Sequence, residues 1–127
     1  MSELRQGIHR ATVSPALQQE DGWVRGRFRF PPEFTGFDGH FPGNPVLPAV
    51  VQMLTAPVLL EQHLGRPLVL CWIDNAKFLR QIMPGDEIHV AVRPHPKKGP
   101  NSYEATLVTD TERAATFTLG FDTGEAS

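Results

Sequence analysis

The chain is short of almost everything that marks a disulfide-stapled, membrane-spanning or nucleic-acid-binding protein. It carries a single cysteine, Cys71, so it can form no internal disulfide and no cysteine-rich metal site. Cys71 lies in the apolar run Leu68-Val69-Leu70-Cys71-Trp72, which predicts a buried structural thiol rather than a nucleophile. Neither sign of charge dominates: 12 Lys and Arg stand against 14 Asp and Glu, a formal net charge of -2. A nucleic-acid binder would show a basic patch, and the longest basic run here, Lys97-Lys98, reads as a solvated turn. Long apolar runs are missing too. The most apolar stretch, residues 46–60, is broken by prolines, Gln52 and Thr55, and falls short of the roughly 20 apolar residues of a membrane span. The beginning, MSELRQGIHR, is polar and lacks the apolar core of a signal peptide. These absences predict a soluble cytoplasmic protein with no membrane or nucleic-acid partner.

What is present suits one domain. A length of 127 residues with 40% hydrophobic content supports a single core over the whole chain. Residues 23–30, WVRGRFRF, alternate strictly, with Arg25, Arg27 and Arg29 on one face and Val24, Phe28 and Phe30 on the other. That period of two predicts a half-buried strand, and a weaker strand is expected over Ile8 to Val13. Residues 31–45, PPEFTGFDGHFPGNP, hold four prolines and three glycines among aromatics. They cannot form regular structure, and their apolar side chains predict an ordered, functional loop.

From about Leu47 to Leu64 the pattern becomes helical. Pro48 suits the first turn, Gly65 with Pro67 stops the helix, and Pro57 should bend it. Apolar residues fall on nearly every side, so the helix should be buried almost all round. Leu68 to Arg80, Glu87 to Arg93, Tyr103 to Thr109 and Ala114 to Phe121 then read as an antiparallel run, with a turn at Met83-Pro84-Gly85-Asp86. The order is α+β: one long central helix wrapped by an antiparallel sheet.

The segment Gly39-His40-Phe41-Pro42-Gly43-Asn44-Pro45-Val46-Leu47-Pro48 resembles the GHFPxxPVxPG signature of the beta-hydroxyacyl-ACP dehydratases, a family of hot-dog folds. Trp72-Ile73-Asp74-Asn75-Ala76-Lys77-Phe78 and Pro84-Gly85-Asp86-Glu87-Ile88 look like the same family's following strand and turn, so the resemblance spans about residues 22 to 121. It implies a hot-dog fold, a role in fatty-acid metabolism, and His40 as the base that removes the proton alpha to a thioester carbonyl. It further implies the Ala49 amide as a principal donor to the developing oxyanion, and the Val46 carbonyl as the group that orients the His40 ring. The chemistry is sound in its own right. Proline-rich backbone preorganises the imidazole, and the free N–H groups at a helix start can stabilise an enolate-like oxygen. The implied substrate is an acyl chain on the phosphopantetheine of acyl carrier protein, with no further cofactor and no metal.

Two positions depart from the pattern. Ala49 stands where the family has glycine. More seriously, Leu54 occupies the place, fourteen residues after His40, where the family carries the Asp or Glu that protonates the departing hydroxyl. Gln52 lies about 200° round the helix from Leu54, and Glu61 lies roughly 10 Å further along it. Thr55 has no useful acidity, which leaves Asp38 on the loop as the best remaining carboxylate. Three readings follow. The chain dehydrates (3R)-3-hydroxyacyl-ACP to trans-2-enoyl-ACP with an unidentified acid. Alternatively, it is a catalytically silent acyl-ACP-binding or partner subunit, in a homodimer or higher homo-oligomer or in a heterodimer with a paralogue. A hot-dog thioesterase ranks last, because the loop motif is not theirs.

Overall fold

The computed structural model describes residues 3–18, 21–34, 46–95 and 97–122. Two helices and six strands follow in the order α1 (Glu3–Arg10), β1 (Thr12–Gln18), β2 (Val24–Arg29), α2 (Ala49–Leu64), β3 (Leu70–Phe78), β4 (Glu87–Pro94), β5 (Ser102–Thr109) and β6 (Glu112–Phe121). The strands form one sheet in the order β1-β2-β4-β5-β6-β3, every pair antiparallel. The sheet curls round α2 in a hot-dog arrangement.

Alternation does most of the work. In β2, Val24, Gly26 and Phe28 turn inward while Arg27 and Arg29 stay exposed. In β4, Ile88, Val90 and Val92 turn inward in the same way. These residues meet Leu59, Leu60 and Val58 of α2, all at most 2% exposed. Gly26 matters at this contact: a Cβ there would lie 2.5 Å from Leu59 Cδ1, so any larger residue requires the buried Leu59 side chain to shift. α2 runs as one element through the buried Pro57. It ends at Gly65, whose positive φ of 72° closes a bond from its N–H to the Glu61 carbonyl, the left-handed stop expected of glycine.

Four expectations need correction. The weak strand over Ile8 to Val13 gives way to α1, and β1 starts only at Thr12. Two apolar residues a turn apart, Leu4 and Ile8, make a short amphipathic face, and Gly7 leaves room for the Phe34 ring. The helix begins at Ala49 rather than Leu47, because Pro48 is extended (φ -62°, ψ 153°) and the Leu47 N–H is drawn to the Ile82 carbonyl at 2.7 Å. Nor is α2 covered all round. Residues 55–61 are buried, but Ala49 and Val50 are exposed and Met53 and Leu54 half-buried. Finally, Cys71 is exposed. An apolar run reads as a buried strand when both faces and both edges are covered, yet β3 (shorter than the expected Leu68 to Arg80) lies at the sheet edge and is mostly exposed.

Gly26→Ala is expected to destabilise the fold by about 1–3 kcal/mol, through overpacking against Leu59. A denaturant midpoint unchanged from the parent would show that the approach of helix and sheet is looser than this contact implies.

Candidate functional site

The start of α2 is built to leave donors free. Pro48 cannot cap with its side chain, and no side-chain cap bond is present. The N–H groups of Val51 and Gln52 both reach the Pro48 carbonyl at 3.1 Å. Among the described residues the Ala49 and Val50 amides have no acceptor, so the partial positive charge of the helix end stays unneutralised there.

Ala49 borders a cavity of about 420 Å³. Val46, Ala49 and Gln52 form one wall and residues 78–81 the other. Ala49 and Gln52 share a helix face at i, i+3. The opposite wall is fixed at several points. The Leu47 N–H holds the Ile82 carbonyl, the Leu79 N–H donates to the Ala114 carbonyl at 2.8 Å, and Arg80 pairs with Glu112 at 2.9 Å and Asp110 at 3.8 Å. Gln52 is 4% exposed. Its Nε2 donates to the Leu47 carbonyl at 3.0 Å, while its Oε1 is buried with no partner among the described residues.

Of the residues singled out from sequence, Val46 and Ala49 therefore stand together at this cavity. His40 and Asp38 lie outside the described residues. Leu54 is half-buried and takes no part in the cavity wall, as its angular distance from Gln52 requires. The other polar residues of α2 are engaged elsewhere. Thr55 Oγ1 donates to the Gln52 carbonyl at 2.7 Å. Glu61 accepts from the Leu68 N–H at 2.8 Å, pairs with Arg5 at 3.0 Å, and lies 3.8 Å from His9 Nε2. It is a structural carboxylate joining α1, α2 and the start of the following strand. Gln52, which the sequence reading weighed only as a substitute acid and set aside, also lines the cavity. Its signal was a lone amide on the same face as Ala49 in an otherwise apolar stretch.

Electrostatic perturbation elsewhere does not mark a second centre. Asp21 is held below the ordinary carboxylate range by hydrogen bonds from Arg25 and then from the Trp23 N–H. Asp74 is lowered by the Asn75 N–H and then by Lys98. Both are exposed and away from the cavity. A larger groove of about 700 Å³ crosses the outer face of β2, β4 and β5. Its arginines are already neutralised, Arg25 by Asp21 and Arg27 by Glu87, so size alone does not make it the site. Among the described residues no cluster of His, Cys, Asp and Glu could hold a metal ion, and no helix is long and apolar enough to cross a membrane.

The family model described as ApeI dehydratase, of the ApeI-like proteins, matches residues 16–117. A 3-hydroxyacyl-[acyl-carrier-protein] dehydratase FabZ of Chloroflexus aggregans is 36% identical over 64 residues, covering 45% of this chain and 44% of that protein. The FabZ of Exiguobacterium sibiricum is 36% identical over 93 residues, 67% of this chain and 66% of that protein. The chain thus spans under half the length of the first of these relatives. In fold it is similar to a chain of the dehydratase heterocomplex ApeI:P from Xenorhabdus doucetiae. The TM-score is 0.72 at 20% identity, with 87% of this chain and 95% of that one covered.

Glu61→Ala is expected to lower stability by about 1–3 kcal/mol, because it leaves the Leu68 N–H without its buried acceptor and removes an ion pair with Arg5. Any turnover per folded molecule should stay unchanged. A loss of turnover without loss of stability would mean that Glu61 belongs to the site after all.

Proposed function

The chain belongs to the ApeI-like dehydratase family, and from that membership we propose that it receives a (3R)-3-hydroxyacyl chain on acyl carrier protein at the start of α2. The supporting observation is the uncapped helix start, opening into a cavity directly after the His40 motif. In this reading the thioester carbonyl sits against the free amides of Ala49 and Val50. His40, oriented by the Val46 carbonyl, removes the alpha proton and yields the trans-2-enoyl product. Charge developing on the carbonyl oxygen is met by donors already in place, so little reorganisation is needed at reaction. The phosphopantetheine comes with the carrier, and the reaction asks for no other cofactor. A carrier-bound substrate makes the cytoplasm the place of action.

The missing acid shapes the second reading, in which the chain is a partner subunit. Leu54 faces away from its own cavity, so this position serves a cavity on another subunit, as in related hot-dog dimers. The route to such a subunit is β3. Its outer edge has no strand partner among the described residues, and Val69, Trp72, Phe78 and Leu79 beside it are 38–64% exposed. An unpaired edge flanked by large apolar side chains is a pairing surface. Phe78 and Leu79 also wall the cavity, so pairing there would enclose it. A heterodimer would let a paralogue supply the acid, and the similar Xenorhabdus doucetiae chain is described as part of a heterocomplex.

Mass spectrometry of the purified protein with 3-hydroxyacyl-ACP separates the readings. Dehydration is expected to be slow, abolished by His40→Ala, and raised at least tenfold by Leu54→Glu, since a general acid contributes about 10²–10⁴-fold. The new carboxyl group, partly desolvated, should remain protonated more readily than a free one. Wild-type turnover at about 1 s⁻¹ or faster would sink the missing-acid argument. Binding of acyl-ACP with no turnover in any variant would favour the partner subunit.

Light scattering at micromolar concentration should give at least a dimer, and Phe78→Glu should reduce it to a monomer. A monomeric parent chain would remove β3 as the interface.

A further inference from the structure

The turn from Met83 to Asp86 holds more than a simple chain reversal needs. Pro84 and Gly85 stand at its two central positions, and Gly85 takes the positive φ of 86° that such a turn demands. The Asp86 N–H closes it on the Met83 carbonyl at 3.1 Å. A second bond is then added: the Met83 N–H donates to Oδ2 of the Asp86 carboxylate at 2.9 Å. The plain reading of that bond is a turn cap, yet its place in the chain says more. The Met83 N–H and the Ile82 carbonyl belong to one peptide unit, and that carbonyl accepts from the Leu47 N–H at 2.7 Å. Leu47 follows Val46 of one cavity wall, and Ile82 follows Gln81 of the other. The carboxylate thus stands directly behind the bond that joins the two walls.

We propose that Asp86 is a positioning residue of the thioester site, acting through the Ile82–Met83 peptide on the Val46–Leu47 peptide at the cavity wall. This rests on the thioester-binding reading above and adds to it what holds the two walls at their spacing. A carboxylate accepting from an N–H makes a shorter and stronger bond than a neutral acceptor does. It also polarises the peptide, so the carbonyl at the other end accepts more strongly, by about 10–30% per bond in such chains. The step then repeats. The Leu47 N–H shares its peptide with the Val46 carbonyl, the group that orients the His40 ring in the functional reading. Asp86 acts through other groups throughout, so its part is positioning and not catalysis. The same turn also holds the chain on the far side of the motif, where the Gly85 N–H donates to the Phe30 carbonyl at 2.9 Å. That bond does not pass through the Asp86 side chain, which makes it an internal control.

The test follows single amides by NMR in the purified full chain, alongside calorimetric titration with octanoyl pantetheine thioester. Asp86→Ala should speed hydrogen exchange of the Met83 and Leu47 amides roughly three- to tenfold, the value of one net hydrogen bond. The Leu47 amide proton should move upfield, and affinity for the thioester should fall by a similar factor. Exchange at Gly85, and at Val90 and Leu107 within the sheet, should not change. Asp86→Asn keeps an acceptor oxygen and loses the charge. It should fall between wild type and the alanine form in both Leu47 shift and affinity, and it carries the test if the alanine form does not fold. A Leu47 amide that stays as in wild type while Met83 exchanges faster reduces Asp86 to a turn cap and overturns the proposal. So does faster exchange spread evenly over Gly85, Val90 and Leu107, or a Leu47 response with unchanged thioester affinity; the functional reading stands in each case. If wild type binds no thioester, the functional reading fails, and the role of Asp86 in that site fails with it.

Discussion

The contact between Leu59 and Gly26 sets how near the sheet can come to α2, and much else depends on that distance. With the sheet this close, Ile88, Val90 and Val92 of β4 and Val24 and Phe28 of β2 all reach the helix and are at most 5% exposed. The core is therefore dense over residues 55–61, where α2 crosses β1, β2 and β4. Leu59 itself has no solvent contact, so a larger residue opposite it would require its side chain to shift within a close-packed interior.

The beginning of α2 escapes this enclosure. There the helix passes beyond the inward faces of β2 and β4 and meets the chain leaving β3 instead. The same half-covered condition has two results. It leaves the Ala49 and Val50 amides without acceptors among the described residues, with Ala49 beside a cavity, and it leaves Met53 and Leu54 only partly buried. Packing is thus divided along a single helix, with the dense end holding the fold and the open end bordering the cavity.

Most of the architecture was legible because it rests on patterns of fixed period. The arginine and phenylalanine alternation of β2, the stop at Gly65 and the helix-then-strands order each follow from local sequence, and each stands in the structure. The failures share a physical cause. Cys71 was misplaced because an apolar run says that a strand wants cover, and not whether its own chain provides it. The short helix α1 was missed because its two apolar residues flank a glycine, and its docking depends on Phe34, far along the chain. The motif drew attention to Val46 and Ala49, which line one cavity together with Gln52; that Gln52 joins them depends on packing, which no spacing reveals.

The two edges of the sheet share one further trait. β1 departs from regular register twice along its pairing with β2, and β3 does so twice along its pairing with β6. Each irregularity bends and twists its strand locally, so neither edge offers the flat, evenly spaced ladder that open-ended stacking of strands demands. A chain with so apolar a rim on β3 would otherwise be a candidate for fibrous growth. Irregular edges of this kind work against such open-ended growth.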